Sequence, residues 1–231
     1  MPSVAPRAPQ KSGGLPIVWQ LCDRYVLLVG GGEVAASRVV HLAAAGAHIT
    51  VLAPAQGLHP DVRAWIEDGT IDTYIDDKYC DPSQLVRTNG HDYDMILTAI
   101  DDAERSRDVC AWSRARRIPV NVADVPDKCD FYFGSMIRQG PLQVMVSTNG
   151  RGPRLARLVR QQIEAAISPY AGDAILRVGV LRAQLRAQAP APALASERMM
   201  WMARVCDAFP MRALARLDDA TIERWFSSWL H

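Results

Sequence analysis

Tyr25-Val-Leu-Leu-Val29 runs directly into Gly30-Gly-Gly32, and Glu33-Val-Ala35-Ala-Ser-Arg-Val-Val40 follows. The apolar run from Val26 to Val29 has the continuity of a strand buried on both faces of a parallel sheet. Val34, Val39 and Leu42 then recur at helical spacing. The reading is strand, tight turn, helix. Gly30-x-Gly32-x-x-Ala35 matches the dinucleotide fingerprint, whose last position accepts Gly or Ala. Its first glycine lets the chain turn with φ > 0. Its second leaves room for a pyrophosphate at the helix N-terminus, where free N–H groups and the dipole favour an anion. No Gly-Lys-Ser/Thr follows, which excludes a P-loop. A methyltransferase, whose cofactor also sits over a glycine-rich turn, stays open.

The second strand, His48 to Leu52, should end in an acidic residue that holds the ribose hydroxyls. It ends instead in Ala53-Pro54, and no arginine follows closely enough to favour a 2′-phosphate. This rule leaves NAD and NADP undecided.

Pro60 to Glu67 then reads as a short helix, Thr70 to Ile75 as a third strand and Pro82 to Val86 as a helical turn. Met95 to Ala99 is a buried strand, and Asp101-Asp102 can cap a helix running to Arg116. Pro119 to Ala123 is the fifth strand. Alternating strands and helices predict an α/β domain over residues 17–123, a Rossmann-type doubly wound parallel sheet. Ligands bind beyond the carboxyl ends of such strands. Gly30 to Gly32, Ala53-Pro54, Thr98-Ala99-Ile100 and Ala123-Asp124 are therefore expected on one rim.

The alternation stops there. Phe131 to Ile137 and Leu142 to Ser147 read as a hairpin joined by Arg138-Gln-Gly-Pro141. A lone hairpin is marginal in water. A second copy of the chain is its simplest cover, so residues 124–168 are expected to form a dimerisation region. Ser147-Thr-Asn-Gly150-Arg-Gly-Pro153 is a polar loop with its proline at the first turn of a helix. That helix runs to about Ile167 and carries Arg154, Arg157 and Arg160 at i, i+3 spacing. Residues 169–231 read as a small all-helical domain. Ile175, Val178, Leu181 and Leu185 are expected on one face, with a Pro/Ala linker from Ala189 to Ala195. Met199, Met202, Val205 and Cys206 line the next helix, where Trp201 reads as core. Asp218-Asp219 can cap a last helix containing Trp225 and Trp229.

The chain has 231 residues, 49% hydrophobic and 22% charged, enough for one large or two modest domains. A net charge of +1 gives no case for nucleic acid or a membrane surface. Only Lys11, Lys78 and Lys128 are lysines. The other cations are arginines, which pair bidentately with carboxylates and phosphates. From Arg151 onward twelve arginines face seven acidic residues, a net +5. That excess fits either an acidic ligand or a solvated helical face. The five cysteines are scattered without Cys-x-x-Cys spacing, against both a disulfide framework and a zinc finger. A reducing, cytoplasmic setting fits. Residues 1–16, rich in Pro, Ala and Gly, read as a disordered tail. Arg7 and Lys11 without an acid also fit a transit sequence, but no apolar segment marks a signal peptide or a membrane span.

Gly30-Gly-Gly-Glu-Val34, then Asn121-Val-Ala-Asp124 with Phe131-Tyr-Phe133, then Pro141-Leu-Gln-Val-Met-Val-Ser-Thr-Asn-Gly150 with Pro153 form an ordered set. In this order and spacing they resemble the precorrin-2 dehydrogenase/sirohydrochlorin ferrochelatase family, in its stand-alone fungal form. The resemblance covers about Ile17 to Ile167 well and the helical third more loosely. It implies NAD-dependent oxidation of precorrin-2 to sirohydrochlorin, Fe²⁺ insertion in many members, and a homodimer. The family's NAD-contacting positions fall on Glu33-Val34 and Pro54-Ala55. Its key carboxylate falls on Asp124, and its phosphorylatable serine falls on Thr148. Gly152 departs from the small hydroxyl residue that relatives carry before the proline. The methyltransferase domain of the bacterial fusions is missing, so that activity is not expected.

The chemistry bears on the same residues. Oxidation removes a hydride from carbon and a proton from the macrocycle, and a carboxylate near the nicotinamide can take the proton. Asp124 ends a strand on the cofactor rim. The alternative is an aspartate that caps the turn before Pro126, with Asp127 and Asp130 as other carboxylates nearby. Metal insertion also removes pyrrole protons, so one base can serve both steps. A polycarboxylate substrate gives Thr148, Asn149, Arg151, Arg154 and Arg157 a role. No Cys/His cluster marks a metal site. Two other readings stay open: a dehydrogenase without chelatase activity, and a non-catalytic NAD-binding dimeric sensor.

Overall fold

The computed structural model describes residues 14–229. The part of the expected tail over residues 1–13 lies outside the described residues. The chain divides into two compact units, the first ending at Tyr132 and the second beginning at Phe133.

The first unit is a five-stranded parallel sheet built from β1 (Tyr25–Val29), β2 (His48–Leu52), β3 (Thr73–Ile75), β4 (Met95–Thr98) and β5 (Val120–Val122). The strand order β3-β2-β1-β4-β5 is that of a Rossmann sheet. Helices α1 (Glu33–Ala43), α2 (Pro60–Glu67) and α3 (Ala103–Ala115) connect β1 to β2, β2 to β3 and β4 to β5, and only the short turn Pro82–Leu85 lies between β3 and β4. Leu27, Leu28, Ile49 and Ile96 are wholly buried, as strands covered on both faces require. Local chemistry sets the helix starts. Pro60 occupies the first turn of α2 behind His59, whose ring accepts from the Asp61 N–H. Asp102 accepts from the Glu104 and Arg105 N–H groups at 3.1 and 3.0 Å and opens α3.

The third strand is shorter than the expected Thr70 to Ile75. Asp68 accepts from the Thr70 N–H, and the Asp72 carboxylate takes the Ile49 N–H at 2.7 Å. A side chain thus satisfies a donor that a longer β3 would have paired.

The second unit opens with the hairpin of β6 (Ser135–Gln139) and β7 (Leu142–Val146), antiparallel with Arg138 opposite Gln143. The expected strand from Phe131 starts only at Ser135. The Phe131 carbonyl accepts from Asn121 Nδ2 at 2.8 Å, which commits it beside β5. The connection contracts to Gly140-Pro141, because Arg138 and Gln139 remain in the ladder. Helix α4 (Pro153–Ala166) lies on the hairpin, where Ile137 and Ala156 are buried. Part of the cover expected from a second copy is therefore supplied by the chain itself.

Helices α5 (Ala171–Gln188), α6 (Ala195–Ala208), α7 (Met211–Leu214) and α8 (Asp219–Trp229) complete this unit. Asp218 accepts from the Thr221 N–H at 2.7 Å and caps α8. The core gathers Ala174, Leu181, Leu185, Val205, Leu214 and Ile222, with Val178, Trp201 and Met202 against it. Two expected core positions face outward: Ile175 is 42% exposed and Met199 is 70% exposed. Cys206 is exposed as well. On α5 the small Ala174 takes the buried place, so the inward row runs 174, 178, 181, 185.

Candidate active site

The carboxyl ends of the five strands are joined in one row of backbone hydrogen bonds. Ala53 N–H donates to Ile75 O, Gly30 N–H to Leu52 O, Ala99 N–H to Val29 O and Ala123 N–H to Thr98 O, at 2.7–3.2 Å. The row aligns the glycine turn, the loop after β2, the loop after β4 and the turn at Asp124 along one edge. β5 lies two strands from β1, roughly 10 Å at the usual strand spacing.

At the glycine turn two positions carry the geometry. Gly30 has φ +116°, and a Cβ there would sit 2.2 Å from the Ala99 carbonyl oxygen. Gly32 is the N-cap of α1 with φ −82° and ψ −165°, and a Cβ there would meet nothing within 4 Å. A side chain at Gly32 would therefore enter open space at the start of α1, which no side chain caps among the described residues. Glu33 and Val34 follow in the first turn, both exposed. Gly30 and Pro54 line a cavity of about 530 Å³ beside the turn, together with Ala53, Tyr79, Ile100 and Arg105. Ala55 follows Pro54 but does not line the cavity: its N–H donates to Asp76 at 2.6 Å, and its carbonyl accepts from Arg63 at 3.1 Å. Thr98 is buried in β4 with its hydroxyl 3.4 Å from that of Ser106, so its side chain faces the core and not the rim. Ala99 closes against Gly30. The open Gly32 edge and the adjoining cavity fit a dinucleotide.

Asp124 has φ +59°, the left-handed region, and its side chain is exposed. Such a conformation costs a non-glycine residue energy, although Asp and Asn tolerate it best. The turn is held from below. Cys129 Sγ lies 3.1 Å from Val122 O and 3.4 Å from Val125 O, and Asn121 Nδ2 donates to the same sulfur. Burial pushes the Cys129 thiol up, so it stays a neutral donor. Arg38, half-buried on α1, is lowered chiefly by burial, against the opposing charges of Cys129 and Asp124. The short turn Pro126–Lys128 has Val125 at its N-cap and no side-chain cap. Asp130 is fully engaged: Oδ1 accepts from Arg114 at 3.0 and 2.8 Å, and Oδ2 from the Val120 N–H. Asp127 lies within the exposed short turn.

The remaining candidates sit together in the second unit, in the loop before α4 and on its first turns. Thr148 Oγ1 accepts from the Gly152 N–H at 3.2 Å, and Gly152, at the N-cap of α4, has no side chain to cap it. Asn149 has φ +50° and its N–H donates to Ser147 Oγ. Arg151, Arg154 and Arg157 are exposed, whereas Arg160 pairs with Glu164 along the helix. Sequence reasoning missed Arg38, Asp76, Arg105 and Cys129. The first was visible only as a lone cation in an apolar helix, and Asp76 depends on a contact distant in sequence, with Ala55.

Residues 17–135 match a family model of NAD(P)-binding domains. Residues 139–166 and 169–231 match the central and C-terminal models of sirohaem biosynthesis proteins. The chain is 43% identical over 215 residues to a siroheme biosynthesis protein of Schizosaccharomyces pombe, covering 93% of this chain and 79% of that protein. It is 30% identical to a siroheme biosynthesis protein of Saccharomyces cerevisiae, covering 88% and 86% of the two chains. Against the siroheme synthase of Methylobacillus flagellatus identity is 40%, and the match spans 31% of that longer protein. A solved structure of SirC, a precorrin-2 dehydrogenase, superposes with a TM-score of 0.69 over 94% of this chain and 99% of its own, at 18% identity. Fold and site define a nucleotide-binding α/β protein of the sirohaem pathway class. The chain belongs to the family of siroheme biosynthesis proteins.

Proposed function

We propose that this chain oxidises precorrin-2 to sirohydrochlorin with NAD⁺ and then inserts Fe²⁺ to give sirohaem. One observation carries the reading: the sheet brings an open glycine turn and an aspartate in a left-handed turn to the same edge, in a chain of the siroheme biosynthesis family. Gly30, Gly32 and the Ala53–Ala55 loop hold the dinucleotide, with Glu33 and Val34 at the helix start and Ala99 closing the turn from β4. NAD⁺, when bound, supplies the hydride acceptor. Asp124 takes the proton that the macrocycle loses in the same oxidation. In the second reaction Fe²⁺ is a substrate, and each pyrrole N–H it displaces gives up a proton for which Asp124 is again the acceptor.

Thr148, Asn149, Arg151, Arg154 and Arg157 are assigned to the carboxylates of the tetrapyrrole. A charge-assisted hydrogen bond contributes about 1.5–3 kcal/mol. Replacing Arg154 or Arg157 by Gln is therefore expected to raise KM for the tetrapyrrole about tenfold or more. Unchanged KM in each single variant, measured with saturating NAD⁺, would make the arginines a solvated face.

The chain is further proposed to act as a homodimer. Helix α4 exposes Leu155 (59%) and Leu158 (43%) beside its arginines, and Met145 of β7 is 40% exposed. Leu155 and Leu158 leave apolar surface exposed on α4, and Met145 leaves it exposed on the hairpin. Leu158→Glu is expected to shift the species seen by sedimentation from dimer to monomer at micromolar concentration. A monomeric unmodified chain would contradict the proposal.

The function is tested by anaerobic incubation of precorrin-2 with protein and NAD⁺, followed by Fe²⁺, with absorption spectra after each addition. Sirohydrochlorin should form first and sirohaem second. Sirohydrochlorin that accumulates without metal insertion would leave a dehydrogenase alone.

A further inference from the structure

The cavity beside the glycine turn is one-sided. It is walled by residues that follow β1, β2, β3 and β4, and none comes from β5 or the Asp124 turn. On the reading proposed above, hydride transfer belongs near Asp124. The half of the dinucleotide that does not react must then extend the other way from the pyrophosphate, into this cavity. Its walls include Leu52, Ala53, Pro54 and Ile100, apolar surfaces that suit a flat heteroaromatic base.

One wall residue has a hydrogen-bonding capacity that the protein does not use. Arg105 stands in the first turn of α3, and its Nε lies 3.4 Å from an oxygen of Asp102. Its Nη1 is buried and has no hydrogen-bond partner among the described residues. A buried donor left unpaired is costly. Arg105 already lines the cavity, and its side chain as a whole keeps 31% exposure. The charges around it are balanced: Lys78 and Arg105 stand with Asp101 and Asp102 on the same wall. A second phosphate is not needed to neutralise that group, whereas a neutral acceptor satisfies the spare donor. Adenine presents such acceptors at its ring nitrogens.

We infer that Arg105 is a specificity-determining residue of the cofactor site, donating a hydrogen bond to the adenine base in the cavity formed by the β2 and β4 loops. It makes the adenosine half of the cofactor contribute to affinity. The fingerprint glycines alone recognise only the pyrophosphate.

The test is calorimetric titration of the whole chain and of Arg105→Met and Arg105→Lys with ADP-ribose, NAD⁺, NADP⁺ and nicotinamide mononucleotide. Met keeps an unbranched apolar stem and removes every donor. Lys keeps the charge and the Asp102 pair and loses the planar fork. Arg105→Met is expected to weaken ADP-ribose and NAD⁺ alike, by about tenfold to a hundredfold, with nicotinamide mononucleotide unchanged. Arg105→Lys should fall between. Unaltered ADP-ribose affinity in both variants would reduce Arg105 to the Asp102 pair and overturn the inference. NADP⁺ bound in preference to NAD⁺, with only that preference lost in the variants, would also overturn it by assigning Arg105 to a 2′-phosphate. Failure of the unmodified chain to bind ADP-ribose would instead remove the dinucleotide site itself.

Discussion

An Asp124→Asn variant is expected to fold, to bind NAD⁺ and to oxidise precorrin-2 about 10²–10⁴ times more slowly, the usual loss when a general base is removed. The substitution suits this position for a structural reason. Asp124 sits at φ +59°, where Asn is among the best-tolerated residues. Asn therefore keeps the turn and removes only the basic oxygen. Alanine would add backbone strain of about 1–2 kcal/mol and blur the result. The turn keeps its own supports in the variant, since Cys129 and Asn121 hold it through Val122, Val125 and Phe131. Steady-state rates beside a melting curve separate the outcomes. A near-normal kcat with a lowered Tm would make Asp124 a turn residue. Chelation by the same variant, assayed on sirohydrochlorin, then shows whether one base serves both reactions.

Gly32→Val should abolish measurable NAD⁺ binding while leaving the fold intact. The backbone at Gly32 is extended and allowed to any residue, and a Cβ meets no atom within 4 Å. The new side chain therefore projects into the space over the α1 N-terminus, where the pyrophosphate would sit. Losing two charge-assisted backbone bonds of about 1.5–3 kcal/mol each weakens binding by at least about a hundredfold. Gly30→Ala is the contrasting control. There a Cβ would lie 2.2 Å from Ala99 O, so the damage falls on the fold itself. Unchanged NAD⁺ affinity by calorimetry in folded Gly32→Val would remove the glycine turn from the cofactor site.

The first unit was legible in the sequence because its signals are local. A buried strand announces itself by an apolar run, a helix start by Asp102 or Pro60, and the phosphate turn by its glycines. Strand ends were less legible. Asp72 and Asn121 satisfy backbone groups with their side chains, at Ile49 and Phe131, and shorten strands that propensity alone would extend. The outward rotation of Ile175 and Met199 has the same kind of origin. Both lie on helices whose apolar residues exceed one face, and only packing decides which row turns inward.

The site divides in the same way. Gly30, Gly32, Pro54 and Asp124 follow from strand ends and motif order. Arg38, Arg105 and Asp76 follow from none of these, because their roles depend on which loops the parallel crossovers bring side by side. Thr98 shows the converse: a strand-end residue placed on the rim by topology turned its hydroxyl into the core toward Ser106. After β2, where no acidic residue stands, Asp76 at the neighbouring strand end accepts the Ala55 N–H.

The most direct test of the proposed function is the stoichiometry of oxidation. Precorrin-2 and NAD⁺ are mixed anaerobically with the purified chain, and NADH and sirohydrochlorin are followed together by absorbance. One NADH is expected for each sirohydrochlorin formed, with neither appearing in Asp124→Asn on the same timescale. NAD⁺ bound tightly but never reduced in the presence of precorrin-2 would contradict this function and make the chain a nucleotide-sensing module.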